Sequence, residues 1–302
     1  MDWDDMRVFL ALARAESLGR AGASLRLDPA TVGRRIARLE EELGRRLFTR
    51  SHQGYALTDE GARLLPHAQA AEHAMLAAAA AAGEEGQGLS GQIRVGAPDG
   101  CANYLLPQVV ARICTENPGL DVQIIALPRV FNLSRREADM AIGVSAPQAG
   151  RLSVQKISDY HLHLAASESS LAAHPPIHSL PDLRAHRIIG YIPDMIFDSE
   201  LDYLAELGLE RVALASNSVA VQFNLLRHGA GLGVVHDFAL PSAPGLVRIL
   251  PQAFSLKRSF YLIRHLDDQR VARLNRFAEA LHRGLRRELA YLEGLVAQVA
   301  AQ

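Results

Sequence analysis

Apolar residues recur at intervals of three and four along the early part of the chain, and that spacing predicts helices. Met6, Phe9, Leu10 and Ala13 place one buried stripe on a helix over residues 3–15. Leu18, Ala21 and Leu25 do the same for a short helix over about 18–25, where Gly19, Gly22 and Ala23 are small enough to let a neighbouring helix come close. "RLDPAT" then supplies a turn and a start signal, with Asp28 as N-cap and Pro29 at the first helical position. In the helix that follows, Val32, Ile36, Leu39 and Leu43 form an apolar stripe. Thr31, Arg34, Arg35 and Arg38 share a second face, roughly 120° away at ~100° per residue.

After this helix the pattern changes. "RRLFTR", the loop "SHQG" and "YALT" read as a β-hairpin. From Thr58, with Asp59 and Glu60 in the first turn, an alanine-rich helix is expected, bent by Pro66. Leu65, Ala68, Glu72, Met75, Ala79 and Ala82 give it a narrow stripe suited to a second helix, and "GEEGQGLSG" (83–91) reads as a flexible hinge. Beyond it, strands and helices alternate. "IRVGA", a helix "ANYLLPQVVARIC", "LDVQIIAL", a short helix "SRREAD" and "MAIGV" come first. "HRIIGYI", a helix over 199–207, "RVALAS", a helix over 218–228 and "LGVVHD" follow. Such alternation predicts a mostly parallel sheet. A long closing helix is expected from near Asp267, with Val271, Leu274, Ala278 and Leu281 on one face. Leu285, Leu289, Leu292, Val296 and Val299 carry a stripe to the end of the chain, to be packed on its own domain or against another subunit.

Composition narrows the class. A chain of 302 residues, 49% hydrophobic and 22% charged, suits a soluble globular protein of two or three domains. Its net charge of −1 means that any basic surface is local. Lys156 and Lys257 are the lysines, so 30 of the 32 basic residues are arginine. The start is amphipathic and acidic, unlike a secretory leader, and no apolar run reaches the ~18 residues of a membrane span. Cys101 and Cys114 form no C-x-x-C pair, and a reducing cytoplasm is the expected compartment.

The arginine face beside a helix N-terminus is how a helix that enters the DNA major groove is built. Helix, short helix, tight turn and basic helix stand in helix-turn-helix order, and the hairpin reads as a wing whose tip residues Arg50, Ser51 and His52 run along phosphates. Glu40 to Glu42 offset the arginines, with Arg38 and Glu42 an i,i+4 pair. Through "FLALARAESLGRAGASLRLDPATVGRRIARLEEELGRRLFTRS" and "YALTDEGARLLP", residues 3–66 resemble the winged helix-turn-helix of LysR-type transcriptional regulators. The resemblance implies that Thr31, Arg34 and Arg35 read an operator in double-stranded DNA, with Arg38 and the wing on phosphate. It also implies paired linker helices, a homodimer or homotetramer, and RNA polymerase as a further partner. Gly33 stands where the family often has serine, at a cost of ~1 kcal/mol relative to alanine in a helix.

Residues 91–290 resemble the effector module that this family carries after its linker. The expected fold is α/β overall: an N-terminal all-α winged helix-turn-helix (1–58), a long linker helix for dimerisation (59–86), and a C-terminal two-lobed periplasmic-binding-protein-like α/β effector domain (91–302). Lobe I takes 91–162 and 265–302, lobe II 163–264. Ligands of such sheets bind beyond the carboxyl ends of the strands. That selects Pro98, Asp99, Gly100 and Cys101, then Leu127 and Arg129, and in lobe II Tyr191, Pro193, Ser216, Asn217, Ser218 and His236. Ser216 to Ser218 open a helix and either cap it or receive an anion. Where many members place serine or threonine against an effector carboxylate, this chain has "APDGCAN". Asp99 should repel a carboxylate unless Arg129 or His236 restores the balance.

Other signals are structural on their face. "GAGLG" (229–233) precedes a strand rather than opening a helix, and "GVSAP" (143–147) lacks the last glycine of a nucleophile elbow. His161 and His163 have no further ligand at a recognised metal spacing, and the separation of Cys101 from Cys114 does not resemble the peroxide-sensing members. No catalytic residue, metal or cofactor is expected. The reading is a sequence-specific DNA-binding regulator, cytoplasmic and without a membrane segment, controlled by a small-molecule effector between the lobes. Two alternatives stand beside it: an effector-independent architectural DNA-binding protein whose C-terminal module only oligomerises, and a cleft enzyme on a DNA tether, for which no acid–base constellation is present.

Overall fold

Short acidic side chains fix where the first helices begin. Asp2 accepts from the Asp4 amide at the start of α1 (Trp3–Ala15), and Asp28 accepts from the Thr31 amide (2.9 Å) at the start of α3 (Pro29–Leu43). Between them lies α2 (Leu18–Leu25). The turn out of α2 needs Gly22, where a Cβ would stand 2.5 Å from the Leu27 carbonyl oxygen. The computed structural model describes residues 2–51, 54–82, 89–126, 138–147, 150–209 and 211–300, and the chain divides into two units, Met1–Gly86 and Gln87–Gln302. The hinge residues 83–88, most of "SRREAD", and His52, Leu127 and Arg129 lie outside the described residues.

In the first unit, Phe9, Leu10 and Leu12 of α1 and Val32, Ile36 and Leu39 of α3 form the core, closed by Leu47 and Phe48. The hairpin is β1 (Phe48–Ser51) against β2 (Gly54–Leu57), with Phe48 opposite Leu57. Glu40 holds it to α3, its Oε1 accepting from the Leu47 and Phe48 amides (2.7 and 3.1 Å). Thr58 accepts from the Gly61 amide and donates to the Arg46 carbonyl, starting α4 (Asp59–Ala82). A Cβ at Gly61 would meet the Leu47 carbonyl at 2.2 Å. The helix α4 continues through Pro66. Its Leu64, Leu65 and Ala68 join the core and Glu72 pairs with Arg14, so the first part of the expected stripe is used inside this unit, while Met75 is exposed.

In the second unit, β3 (Gly91–Ala97) runs parallel to β4 (Leu120–Ala126) and β5 (Met140–Gly143). β7 (Ile188–Gly190) runs parallel to β8 (Leu214–Ala215) and β9 (Leu232–His236). Two long strands cross between these halves, β6 (Leu152–Ser167) and β11 (Leu256–His265). They are antiparallel to each other up to Leu162, where β6 passes to β9, with β10 (Leu246–Arg248) on its last residues. The sheet order is β4-β3-β5-β11-β6-β9-β7-β8. It is therefore two parallel halves joined by an antiparallel pair, rather than mostly parallel throughout. Tyr160 sits at that junction, fully buried and stacked on Phe260 (4.1 Å).

Three helical expectations are corrected. The single helix after β3 is two, α5 (Asp99–Tyr104) and α6 (Leu106–Glu116), because Pro107 has no amide to give the carbonyl four residues back and its ring crowds that carbonyl, and Leu105 breaks the run with φ −121°. Over 199–207 there are two 3₁₀ turns, Ser199–Leu201 and Ala205–Leu207, because Asp198 and Asp202 capture the amides of Glu200 and Ala205. The closing helix α9 (Ala272–Ala300) starts after a 3₁₀ turn at Leu266–Arg270. Its Leu285, Leu289 and Val296 are buried in the core of its own unit, with Leu292 packed against it. Two further α-helices among the described residues are α7 (Glu168–Ala173) and α8 (Val219–Arg227). No helix among the described residues is long and apolar enough to cross a membrane.

Candidate functional site

The arginine face of α3 is differentiated by what lies behind it. Arg34 is exposed and touches Thr31 Oγ1 through one nitrogen (2.9 Å), leaving the rest of its fork to solvent. Arg35 is half-buried, 3.6 Å from Asp4 and 3.8 Å from Asp5. Arg38 donates from Nε (2.6 Å) and a terminal nitrogen (2.5 Å) to Asp5, a carboxylate with 0% exposure on α1. That pairing raises the Arg38 pKa further, the Asp5 hydrogen bond first and its charge second. The first role of Arg38 is therefore to neutralise a buried carboxylate and tie α3 to α1. Two of its donor positions are thereby engaged by Asp5. The amide of Thr31 is likewise taken by Asp28, whose pKa is lowered chiefly by the Thr31 hydroxyl. The α3 N-terminus already holds an anion. In the wing, Arg50 is exposed on β1 opposite Tyr55, and Ser51 is paired with Gly54.

Asp5 and Glu40 were not legible as anchors: each reaches a partner on another element, and neither breaks the local pattern of an acidic helix face.

In the second unit the expected residues separate into two groups. Pro98 caps α5, and Asp99, in its first turn, reaches across to α8. Asp99 Oδ2 accepts from Ser218 Oγ (3.0 Å) and the Ala220 amide (2.9 Å). Ser218 also caps α8 at Val221, and Ser216 Oγ accepts from the Ser218 amide. Capping and anion reception thus coexist, with the anion supplied by the chain. Asn217 is half-buried beside them.

Gly100, Cys101 and His236 belong to the interior. Cys101 is 1% exposed and burial pushes its thiol far up, so it presents no thiolate. His236 is 4% exposed, packed on Tyr160 (5.5 Å) and Phe238 (4.8 Å), with Nε2 3.4 Å from the Tyr203 hydroxyl. Burial pushes it down to about 3. It is uncharged at neutral pH and cannot balance a carboxylate, which corrects that expectation. Its ring lies against Gly100, where a Cβ would come within 3.0 Å.

Tyr191 and Pro193 line a cavity of about 250 Å³ with Tyr203, Asp202, Gln222 and apolar neighbours including Ile196 and Leu204. Gln222 was missed. It is 5% exposed and donates to the Ser216 carbonyl (2.7 Å). A glutamine on the buried α8 face of Val219, Phe223 and Leu226 was the available signal. His161 and His163 each face a carboxylate, Glu293 (2.9 Å) and Asp237 (2.8 Å), and no cluster among the described residues could hold a metal.

Two family models match the chain: "Bacterial regulatory helix-turn-helix protein, lysR family" over residues 3–62 and "LysR substrate binding domain" over 86–286. The transcriptional regulator PtxR of Pseudomonas aeruginosa is 26% identical over 298 residues, covering 95% of this chain and 94% of that protein. The regulator DgdR of Burkholderia cepacia is 30% identical over 258 residues, 82% of each. Among solved structures, a full-length OxyR variant from Pseudomonas aeruginosa superposes with TM-score 0.72 at 20% identity, covering 95% of both chains. Full-length LysG from Corynebacterium glutamicum with bound effector Arg gives 0.61 at 20% identity, covering 95% of this chain and all of that one. At such identity these two show the fold alone.

Proposed function

The chain belongs to the LysR-type family of transcriptional regulators, with a DNA-binding helix-turn-helix and an effector-binding domain, and from that premise we propose how its own residues divide the work. It binds a specific operator in double-stranded DNA as a homodimer or homotetramer in the cytoplasm, and a small molecule in the second unit shifts its activity. Thr31, Arg34 and Arg35 read bases in the major groove, while Arg38, Arg50, Ser51 and His52 lie along phosphates. One observation carries the reading: Arg34 projects from a helix whose opposite face is buried in a three-helix core, with its guanidinium largely unspent. The cavity beside Tyr191, Tyr203 and Gln222 is the proposed effector site. The effector acts only by binding one arrangement of the protein better than another. An effector-free architectural role would leave this cavity without a use, and no acid–base set among the described residues favours an enzyme.

Operator titrations at several salt concentrations, with Arg34→Ala and Arg38→Ala compared on single-base operator variants, test the division. Arg34→Ala should lose about 1–3 kcal/mol and relax preference at one base pair. Arg38→Ala should weaken all sequences alike and lower the melting temperature, since it takes both of its hydrogen bonds from the buried Asp5 and leaves only Arg35, 3.8 Å away, beside it. Uniform loss from Arg34→Ala would make that side chain a phosphate contact.

A further inference from the structure

The parallel strands β7 and β9 end towards Tyr191 and His236, and at their other, amino ends the second unit carries a separate cavity. It measures about 260 Å³ and shares no lining residue with the cavity beside Tyr191. The loop into β9 lines it because Gly231 lies against Arg187, where a Cβ would stand 2.3 Å from the Arg187 carbonyl oxygen. The Leu232 amide donates to that carbonyl (3.0 Å), and Arg187 Nη1 donates to the Ala230 carbonyl (3.5 Å). One nitrogen thereby ties the exposed Arg187 guanidinium to the cavity wall.

His174, at the end of α7, and His186 line the same cavity, with ring centres 6.1 Å apart. His174 donates from Nδ1 to the Ser170 carbonyl (2.8 Å), which orients the ring and leaves Nε2 for a ligand. His186 Nε2 is buried without a hydrogen-bond partner among the described residues, which costs free energy until a partner arrives. A wider cavity of about 520 Å³ shares His186 and Arg187 with the first and adds Arg184 and Arg211. Among the described residues neither lining contains a carboxylate. Asp182, two residues before Arg184, is engaged by the amides of His178 and Ser179 (3.0 and 2.8 Å).

We propose that this edge of the second unit is a phosphate site, separate from the effector cavity. Arg187 and the two histidines hold a phosphate group in the smaller cavity, and Arg184 and Arg211 draw it in from the wider one. A guanidinium fork matches two oxygens of such a group, and several cations around one cavity favour a dianion over a single carboxylate. Because the smaller cavity and the one beside Tyr191 have no residue in common, the phosphate site is filled independently of the effector.

Thermal unfolding of the full-length protein in sodium phosphate and in sodium chloride at equal ionic strength tests the site, with glycerol 3-phosphate as a phosphate monoester. Wild type should show a saturable rise of about 3 °C at ten times the Kd in phosphate and none in chloride. Arg187→Gln should weaken phosphate binding by about tenfold or more. His174→Gln, at another exposed position, should weaken it in the same direction and serves if the arginine variant does not fold. Tighter binding of the monoester would assign the site to a phosphorylated compound, and the reverse order to the free ion; either supports the proposal. Equal phosphate responses in wild type and Arg187→Gln, or equal responses to phosphate and chloride, would overturn it. A rise in zinc chloride without one in phosphate would also overturn it, since the histidine pair would then answer to a metal. So would a loss of affinity for a random DNA duplex in Arg187→Gln as large as its loss for phosphate, since the arginines would then serve nucleic acid.

Discussion

Burial among Tyr160, Tyr203 and Phe238 pushes the His236 imidazole from an ordinary 6.5 down to about 3, so the folded chain carries this ring uncharged where the unfolded chain would protonate it. Between those two values the unfolded state binds more protons, and stability rises with pH. The contribution is whole above 6.5 and is lost as pH falls towards 3, at about 1.4 kcal/mol per pH unit. Replacing His236 with phenylalanine keeps an aromatic ring against Tyr160 and removes the titration. Denaturant midpoints from pH 7.5 to pH 4 should therefore fall more steeply for wild type than for His236→Phe; parallel curves would mean that the ring takes up its proton without unfolding. The sequence placed His236 at the end of a strand but not its charge state, because that depends on the rings of Tyr160 and Tyr203 from distant segments. Asp5 is the same lesson with the opposite sign. Nothing within a turn of it predicts 0% exposure, and its partner Arg38 lies 33 residues on.

At the scale of single elements the sequence was most informative where the contacts are local. The stripes of α1 and α3, the Asp28 cap and the hairpin follow from spacings of a few residues, and each is in the structure. The 199–207 segment failed because aspartate side chains competed for its amides, which a hydrophobic pattern does not register. Gly33 is a local feature with a measurable cost. A Cβ there would have Leu18 Cδ1 at 3.9 Å as its nearest neighbour, an ordinary contact, so glycine is not required by packing. Gly33→Ala should stabilise the first unit by about 1 kcal/mol through the lower entropy of its unfolded chain. Chemical denaturation of the full-length variant, followed by a probe in that unit, checks this. A loss of stability would show that α3 needs more freedom at that point than its helical geometry suggests.

For the second unit as a whole, the decisive contacts are those the local pattern cannot reach: Asp99 to Ser218, β6 to β11, and α9 back onto the sheet. The apolar stripe at the end of the chain was visible, yet its partner was not, since a heptad-like spacing serves a core as well as a second subunit. The structure buries Leu289 and Val296 in this unit's own core. It also pairs Glu288 with Arg112, and Glu293 with the amide and ring of His161 (2.7 and 2.9 Å). Removing residues 287–302 therefore strips cover from the core and breaks the Arg112–Glu288 pair. Two buried aliphatic side chains at about 1.5–3 kcal/mol each, with part of Leu292, amount to roughly 4–6 kcal/mol, a large share of the stability of an ordinary domain. Scanning calorimetry should show the transition of this unit falling by about 10 °C or more in the shortened chain. Light scattering on the same sample separates the two uses of the stripe. A tail that served only another subunit would lower the particle mass and leave the melting transition where it was, whereas a tail that completes the core moves the transition whatever the mass does.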